Sequence, residues 1–166
     1  YLARRYKQLG GTGSLLEVGA ANGRLAHHLN ATGFLPTPLV ATDPYPVPTP
    51  SHPQGTFPID RCDHEAALDR FAPVKLLLCA WMPQGQDWTD RWRAARVPEY
   101  VLLGECADPS SAFNRSHEGY ERVLLHNVSR QMLHFSDAEP GLAARRGGGT
   151  CCAVAFRRKC TVDEVP

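Results

Sequence analysis

Residues 14 to 23 read Ser-Leu-Leu-Glu-Val-Gly-Ala-Ala-Asn-Gly, and a helix-like pattern opens at Arg24. Residue types at this spacing offer ligand binding at a strand-to-helix turn. Gly19 lets the backbone bend where a Cβ would meet a ligand, and Gly23 permits close approach at the helix start. Glu17, at the carboxyl end of the apolar run, can accept hydrogen bonds from a ligand's ammonium or hydroxyl groups. The same carboxylate would repel a pyrophosphate. A dinucleotide turn wants G-x-G-x-x-G, and aligning Gly19 with its first glycine puts Ala21 and Arg24 at the other two. Asp87 and Glu105, each near a strand end, are the candidates for general base. Each also has a plain structural use: Asp87 as a helix cap before Trp88, Glu105 as the end of its strand. The histidines are scattered, and none pairs with a cysteine or serine as an activated nucleophile would. None of the six cysteines forms a C-x-x-C pair, so no metal site is signalled.

The elements that must position these groups alternate. Tyr1 to Leu9 is a basic, helix-compatible stretch placed to lie over the pocket. Ser14 to Val18 is a strand, and a helix follows from about Gly23 to Asn30, with Gly33 a plausible stop. Pro38 to Asp43 is a second strand. Pro44 to Pro58 carries too many prolines for a helix and reads as a surface loop. Thr56 to Asp63 holds a short third strand, and His64 to Phe71 a helix with Asp63 as N-cap. Val74 to Trp81 is a continuous apolar run suited to a central parallel strand. Asp87 to Arg96 is helical, and Tyr100 to Glu105 is another central strand. Tyr120 to Leu125 and Arg130 to Phe135 are strand-like, and Cys151 to Arg157 closes the series near the sheet edge. Ser136 to Thr150, with Arg145 and Arg146, reads as a mobile hairpin loop. Alternation predicts a single α/β domain over residues 1 to 166, a doubly wound, mostly parallel sheet of about seven strands with a C-terminal antiparallel hairpin.

Composition narrows the partners. With 166 residues the chain can bury a real core. A net charge of +1 gives no electrostatic case for nucleic acid or an anionic membrane. The basic group Arg145, Arg146, Arg157, Arg158 and Lys159 reads as a solvated face. There is no long apolar run for a membrane span. The cysteines read as reduced thiols, which with the lack of a signal-peptide pattern points to an intracellular protein, cytoplasmic or organellar. Asn30, Asn114 and Asn127 open glycosylation sequons of a kind that arise often by chance.

The pattern E-x-G-x-x-x-G, with Glu17, Gly19 and Gly23, resembles motif I of the class I S-adenosylmethionine-dependent methyltransferases. The resemblance implies that Gly19, Ala20, Ala21, Asn22 and Gly23 form the cofactor loop with Glu17 beneath it, and that S-adenosylmethionine is the cofactor. Asp43 matches the acid that binds the ribose hydroxyls, since a carboxylate can accept two hydrogen bonds from a cis-diol. Its other use is to begin a turn with Pro44. Asp63 matches the acid beside the adenine amino group, with Cys62 and His64 at the ring, and it can also cap its helix. Cys79 reads as a small buried hydrophobe and, with Trp81, borders the pocket. Trp81 can stack on adenine or on a flat substrate, or serve as a core or lid aromatic. In this family the loop after that strand faces the methyl acceptor, here Trp81, Met82 and Pro83. Members that methylate nitrogen often carry Asn-Pro-Pro-Tyr or similar at this point. Ala80-Trp81-Met82-Pro83 lacks the amide or acid that would hold an acceptor nitrogen.

Two readings compete. One is an active methyltransferase whose acceptor is not legible, because methyl transfer needs mainly placement and proton removal. The other is a methyltransferase-like subunit without catalysis in a larger assembly, a ribonucleoprotein included. In either case the Pro-rich loop replaces a helix and leaves one face of the sheet thinly covered, a place for a protein partner.

Overall fold

The apolar runs form the strands of one sheet. The computed structural model describes residues 1–48, 57–83, 85–105, 111–129 and 151–159. In chain order these hold α1 (Leu2–Gln8), β1 (Ser14–Val18), α2 (Arg24–Ala31), β2 (Leu39–Thr42), α3 (His64–Arg70), β3 (Val74–Ala80), α4 (Thr89–Ala94), β4 (Glu99–Glu105), β5 (Tyr120–Leu124), α5 (His126–Ser129) and β6 (Cys151–Arg158). The strand order is β2-β1-β3-β4-β6-β5. The first four strands run parallel, and β6 is antiparallel to both β4 and β5.

Side chains alternate across this sheet as the pleat requires. Leu15, Leu76, Leu78, Val101, Ala153 and Ala155 face a cluster that includes Tyr6 of α1, Ala26 of α2 and Leu125. Leu16, Val18, Leu77, Cys79, Leu102, Val154 and Phe156 face another, packed against Ala67 and Leu68 of α3 and Trp92 of α4. Helices on both faces explain why β3 reads as an unbroken apolar run: a strand covered on each side has no wet positions. The second face carries the bulk. Tyr100 stacks on Phe156 at 5.1 Å, His117 stacks on Phe156 at 4.3 Å, and Trp92 meets Tyr100 edge-on at 5.5 Å. Two polar bonds fix this aromatic group: Tyr120 donates to the Val97 carbonyl at 2.7 Å, and the Tyr100 hydroxyl is bonded to His117 Nδ1.

Several expectations change. The sheet has six strands among the described residues. The third strand expected between Thr56 and Asp63 is a single parallel bridge, Thr42 to Asp60. Pro58 lacks the N–H a longer ladder would need there. Arg130 to Phe135 and the loop Ser136 to Thr150 lie outside the described residues. The last strand sits one place in from an edge: β6 lies between β4 and β5, and β5 is the edge among the described strands. Helix α1 does not lie over the carboxyl ends of the strands. Tyr1 and Arg5 reach Glu99, the first residue of β4, with Arg5 Nε donating to Glu99 Oε2 at 2.7 Å. No helix occurs between β2 and α3 among the described residues, as the prolines require.

With the expected third strand reduced to one bridge, β2 is the other edge of the described sheet. The Asn30 side-chain amide closes part of it, donating to the Leu39 carbonyl at 2.9 Å and accepting from the Leu39 N–H at 2.8 Å. One amide thus stands in for a neighbouring strand residue. Asp60 covers the next positions, donating to the Ala41 carbonyl at 2.9 Å and accepting from the Asp43 N–H at 3.2 Å. An open edge invites pairing with another chain, so these bonds guard against it. No helix among the described residues is long and apolar enough to cross a membrane.

Candidate functional site

The chain leaves β1 toward β2 on one side and later places β3 on the other. Open α/β sheets bind ligands in the crevice outside the strand carboxyl ends at such a switch point. Here that crevice lies between the turn after β1 and the loop after β3.

The first wall is the turn Gly19 to Gly23. The Ala20 N–H donates to the Thr42 carbonyl at 3.0 Å, and the Gly23 N–H to the Ala20 carbonyl at 2.8 Å. Ala21 adopts a φ of 51°, and its N–H donates to Asp43 Oδ2 at 2.9 Å. The other Asp43 oxygen accepts from the Tyr45 N–H at 2.7 Å. Asp43 therefore clamps the glycine turn and starts its own, and each oxygen keeps a second lone pair for a ligand. Asn22 Oδ1 accepts from the Arg24 N–H at 3.1 Å, and its carbonyl accepts from Phe57 at 3.2 Å.

Both glycines are required by the chain's own packing. A Cβ on Gly19 would lie 3.0 Å from Cζ3 of Trp88, and one on Gly23 would lie 2.7 Å from Cγ1 of Ile59. Their φ values, +66° and +72°, add a backbone reason. The space beside Gly19, which sequence reasoning reserved for a ligand, has Trp88 at its border.

Beneath the turn sits Glu17. It is 2% exposed, and its Oε2 has no partner. Burial pushes its carboxyl up to about 7, against a weaker downward pull from a hydrogen bond with the Ala26 backbone in the first turn of α2. A buried carboxylate with an unpaired oxygen is costly, and a cationic donor would relieve that cost.

The second wall comes from α3 and α4. Asp63 caps α3, its Oδ1 accepting from Glu65 N–H at 3.0 Å and Ala66 N–H at 2.8 Å. The cap uses one oxygen and leaves Oδ2 outside those bonds. His64 stacks on Trp88 at 4.7 Å, and burial keeps its imidazole below the usual range. Cys62 is half-buried, its Sγ 3.9 Å from the Asp60 carbonyl. Burial raises its thiol above the ordinary value, and it also raises that of Cys79. The Cys79 side chain is 1% exposed within the core, so it offers a ligand only its backbone. Cys62, Cys79, Cys151 and Cys152 are in no disulfide.

After β3 the chain turns at Trp81, whose φ is 60° and whose N–H donates to the Leu103 carbonyl at 2.7 Å. Met82 packs on the core below, and Pro83 is exposed. Asp87 caps α4 from two residues before its start: Oδ1 accepts from the Thr89 N–H at 3.0 Å and the Thr89 hydroxyl at 2.5 Å. Arg115 approaches Oδ2 at 3.4 Å. Burial alone would raise the Asp87 carboxyl, but the Thr89 bonds outweigh it and hold it below its usual range. A carboxylate so stabilised is a weak base. Glu105 ends β4 in register with Cys151; its side chain lies outside the described residues.

The structure therefore joins the turn Gly19 to Gly23 and Asp43 by hydrogen bonds, with Glu17 buried beneath the turn, and it sets Trp88 beside Gly19 with His64 stacked on it. Asp87 is occupied in capping. Sequence reasoning missed Trp88, which looked only like a helix start, and His117, whose buried ring is held below its ordinary range, at about 4, first by burial and then by Arg93. Neither had a sequence signal, since each is placed by distant partners. Among the described residues no three His, Cys, Asp or Glu side chains gather as a metal site.

No family model matches the chain, and no curated protein matches its sequence. A solved structure with some likeness is "a Putative Type II Methyltransferase from Anaeromyxobacter dehalogenans", 14% identical over 94% of this chain and 93% of that one, with a TM-score of 0.38. A likeness that distant carries no argument about what this chain does.

Proposed function

We propose that this chain is an S-adenosylmethionine-dependent methyltransferase acting on an acceptor held against the loop after β3. The observation that carries the reading is Glu17: a buried carboxyl with one oxygen unpartnered, below a glycine turn at the switch point of the sheet. The residues fit the cofactor's groups. Glu17 would accept from its ammonium, Asp43 from the ribose hydroxyls, and Asp63 from the adenine amino group, with Cys62 and His64 beside the ring. Trp81, Met82 and Pro83 would border the acceptor. The cofactor supplies an activated methyl group, which leaves sulfur for the acceptor as the acceptor gives up a proton. Asp87 is a poor candidate for the base, because Thr89 and Arg115 already stabilise its charge. Glu105 takes that role in this reading. The chain is then expected inside the cell, where the cofactor is made.

A second reading has its own observation. A Cβ on Gly19 would crowd the Trp88 ring, and the loop after β3 holds no amide or acid at Ala80 to Pro83. Both suit a methyltransferase-like subunit without catalysis. Its partner would lie in the hollow of about 510 Å³ beside β2, bordered by His27, Asn30, Val40, Ile59 and Asp60. Asn30 and Asp60 guard the strand edge there, so such a partner would pack on side chains without adding a strand.

Calorimetric titration with S-adenosylmethionine and with S-adenosylhomocysteine separates the two. Micromolar binding, abolished by Gly19→Arg and weakened by Asp43→Ala, is expected. A folded sample that binds neither compound would leave the subunit reading in its place.

A further inference from the structure

Among the described residues only Ala21, Trp81 and Arg96 combine a side chain with a positive φ. Two of these three face the crevice, one on each side. For a residue as bulky as tryptophan this conformation is a true outlier, and such strain gathers at functional positions. Its effect here can be read from the strand it follows. Leu77 and Cys79 point to the second face of the sheet, so an extended Trp81 would follow them into that core. The left-handed turn breaks the alternation and leaves Trp81 41% exposed at the rim.

The rim is apolar elsewhere too. Among the described residues five large apolar ones are exposed: Phe34, Tyr45, Val47, Trp81 and Leu124. Tyr45, Val47 and Trp81 lie on loops at the strand carboxyl ends, and the Val47 N–H donates to the Ala21 carbonyl at 2.9 Å, drawing that loop onto the glycine turn. Charge on these loops runs against an anion: Asp43, Asp60, Asp63 and Asp87 stand against Arg61 and Arg115. A phosphodiester chain would meet more carboxylates than guanidiniums.

We infer that Trp81 is a stacking platform for a flat, neutral or cationic aromatic small molecule, and that this is the class of the methyl acceptor. The assignment of acceptor rests on the methyltransferase reading; the stacking does not. Aromatic faces bind planar rings by offset stacking, with a loss on truncation large enough to measure.

The test titrates the chain with quinoline, in the presence and absence of S-adenosylhomocysteine, following tryptophan fluorescence and the indole N–H resonances. Trp81→Phe identifies the Trp81 signal and keeps a stacking face. Trp81→Gly removes the ring while accepting the positive φ, so it tests stacking in a chain whose turn is relaxed. Quinoline binding is expected to weaken about tenfold in Trp81→Gly, to be largely kept in Trp81→Phe, and to exceed any binding of polyuridylate. Equal quinoline affinity in wild type and Trp81→Gly would overturn the inference. So would a Trp81→Gly chain that loses S-adenosylhomocysteine and keeps quinoline, since Trp81 would then serve the cofactor. If wild type binds quinoline through Trp81 but no S-adenosylhomocysteine, the stacking stands and the methyltransferase reading fails.

Discussion

Two glutamates lie equally deep at opposite ends of the sheet, and their surroundings differ completely. Glu99, at the amino end of β4, is 0% exposed. Arg5 reaches its Oε2 at 2.5 Å, Arg157 lies 3.6 Å from the same oxygen, and the Tyr1 hydroxyl donates to Oε1. Burial and the bond to Glu99 push the Tyr1 phenol up to about 12. Glu17, at the carboxyl end of β1, has no cation among the described residues and one oxygen without a partner. The amino end is a finished ion cluster that pins α1 to the sheet. The carboxyl end holds a charge site that the chain itself does not complete. Burial alone thus says little about a carboxylate; the partners decide whether it serves stability or a ligand.

The sharpest way to break this contrast is at Glu99. Glu99→Ala leaves Arg5 and Arg157 without their counter-charge and is expected to cost about 4 kcal/mol in urea unfolding. A loss within experimental error of zero would mean that the cluster is not holding α1. Next comes Glu17, through pH. Its folded carboxyl is raised from 4.5 to about 7, so the folded state keeps a proton that the unfolded chain has released. The stability this gives is complete below about 4.5 and is lost as pH rises through 7. Glu17→Gln stays neutral throughout. The variant should therefore gain on wild type between pH 4.5 and 8, by on the order of 3 kcal/mol. A pH-independent difference would show that Glu17 has an ionic partner after all.

A smaller effect is expected at the turn itself. Gly19→Ala faces both the positive φ and the Trp88 ring, for a cost of about 2 kcal/mol. Part of that cost should vanish in a Trp88→Ala background, measured as a coupling in a double-mutant cycle. Strict additivity would remove Trp88 from the account of why residue 19 is glycine. Smallest is Asp63→Ala, which removes the α3 cap and should lower stability by about 1 kcal/mol. A loss of S-adenosylhomocysteine affinity in the same variant, beyond any change in folding, would point to a second use for Asp63.

Much of this architecture was legible where a local pattern determines it. The run Leu76 to Cys79 is apolar throughout, and Leu15 to Val18 is apolar but for Glu17, because both faces of the sheet are covered. Asp63 announces its helix because a side-chain cap acts within three residues. Glu17 and the two glycines mark the turn by spacing alone. What stayed hidden depends on distant partners. Nothing near Cys151 says that its strand will lie between β4 and β5. Nothing in Asn30-Ala-Thr32 says that the amide will pair with Leu39 and imitate a strand. Trp88 looked like a helix start because its contact with Gly19 spans most of the α/β unit. Asp87 gave a signal that fitted two uses, and the structure shows it occupied by the cap.

The position of β6 also dictates when this molecule can exist. Five of the six described strands are synthesised before residue 151, yet among them β5 has no neighbour in the sheet except β6. Until Arg158 has been made, the growing chain holds a four-stranded parallel fragment with the hydrogen-bonding edge of β4 open, and β5 waits unattached beside it. The sheet is closed by β6, the last of the described strands, so β4 and β5 are joined only after residue 158 has been added. A chain stopped at residue 150 would expose a central strand to whatever other nascent chains are near.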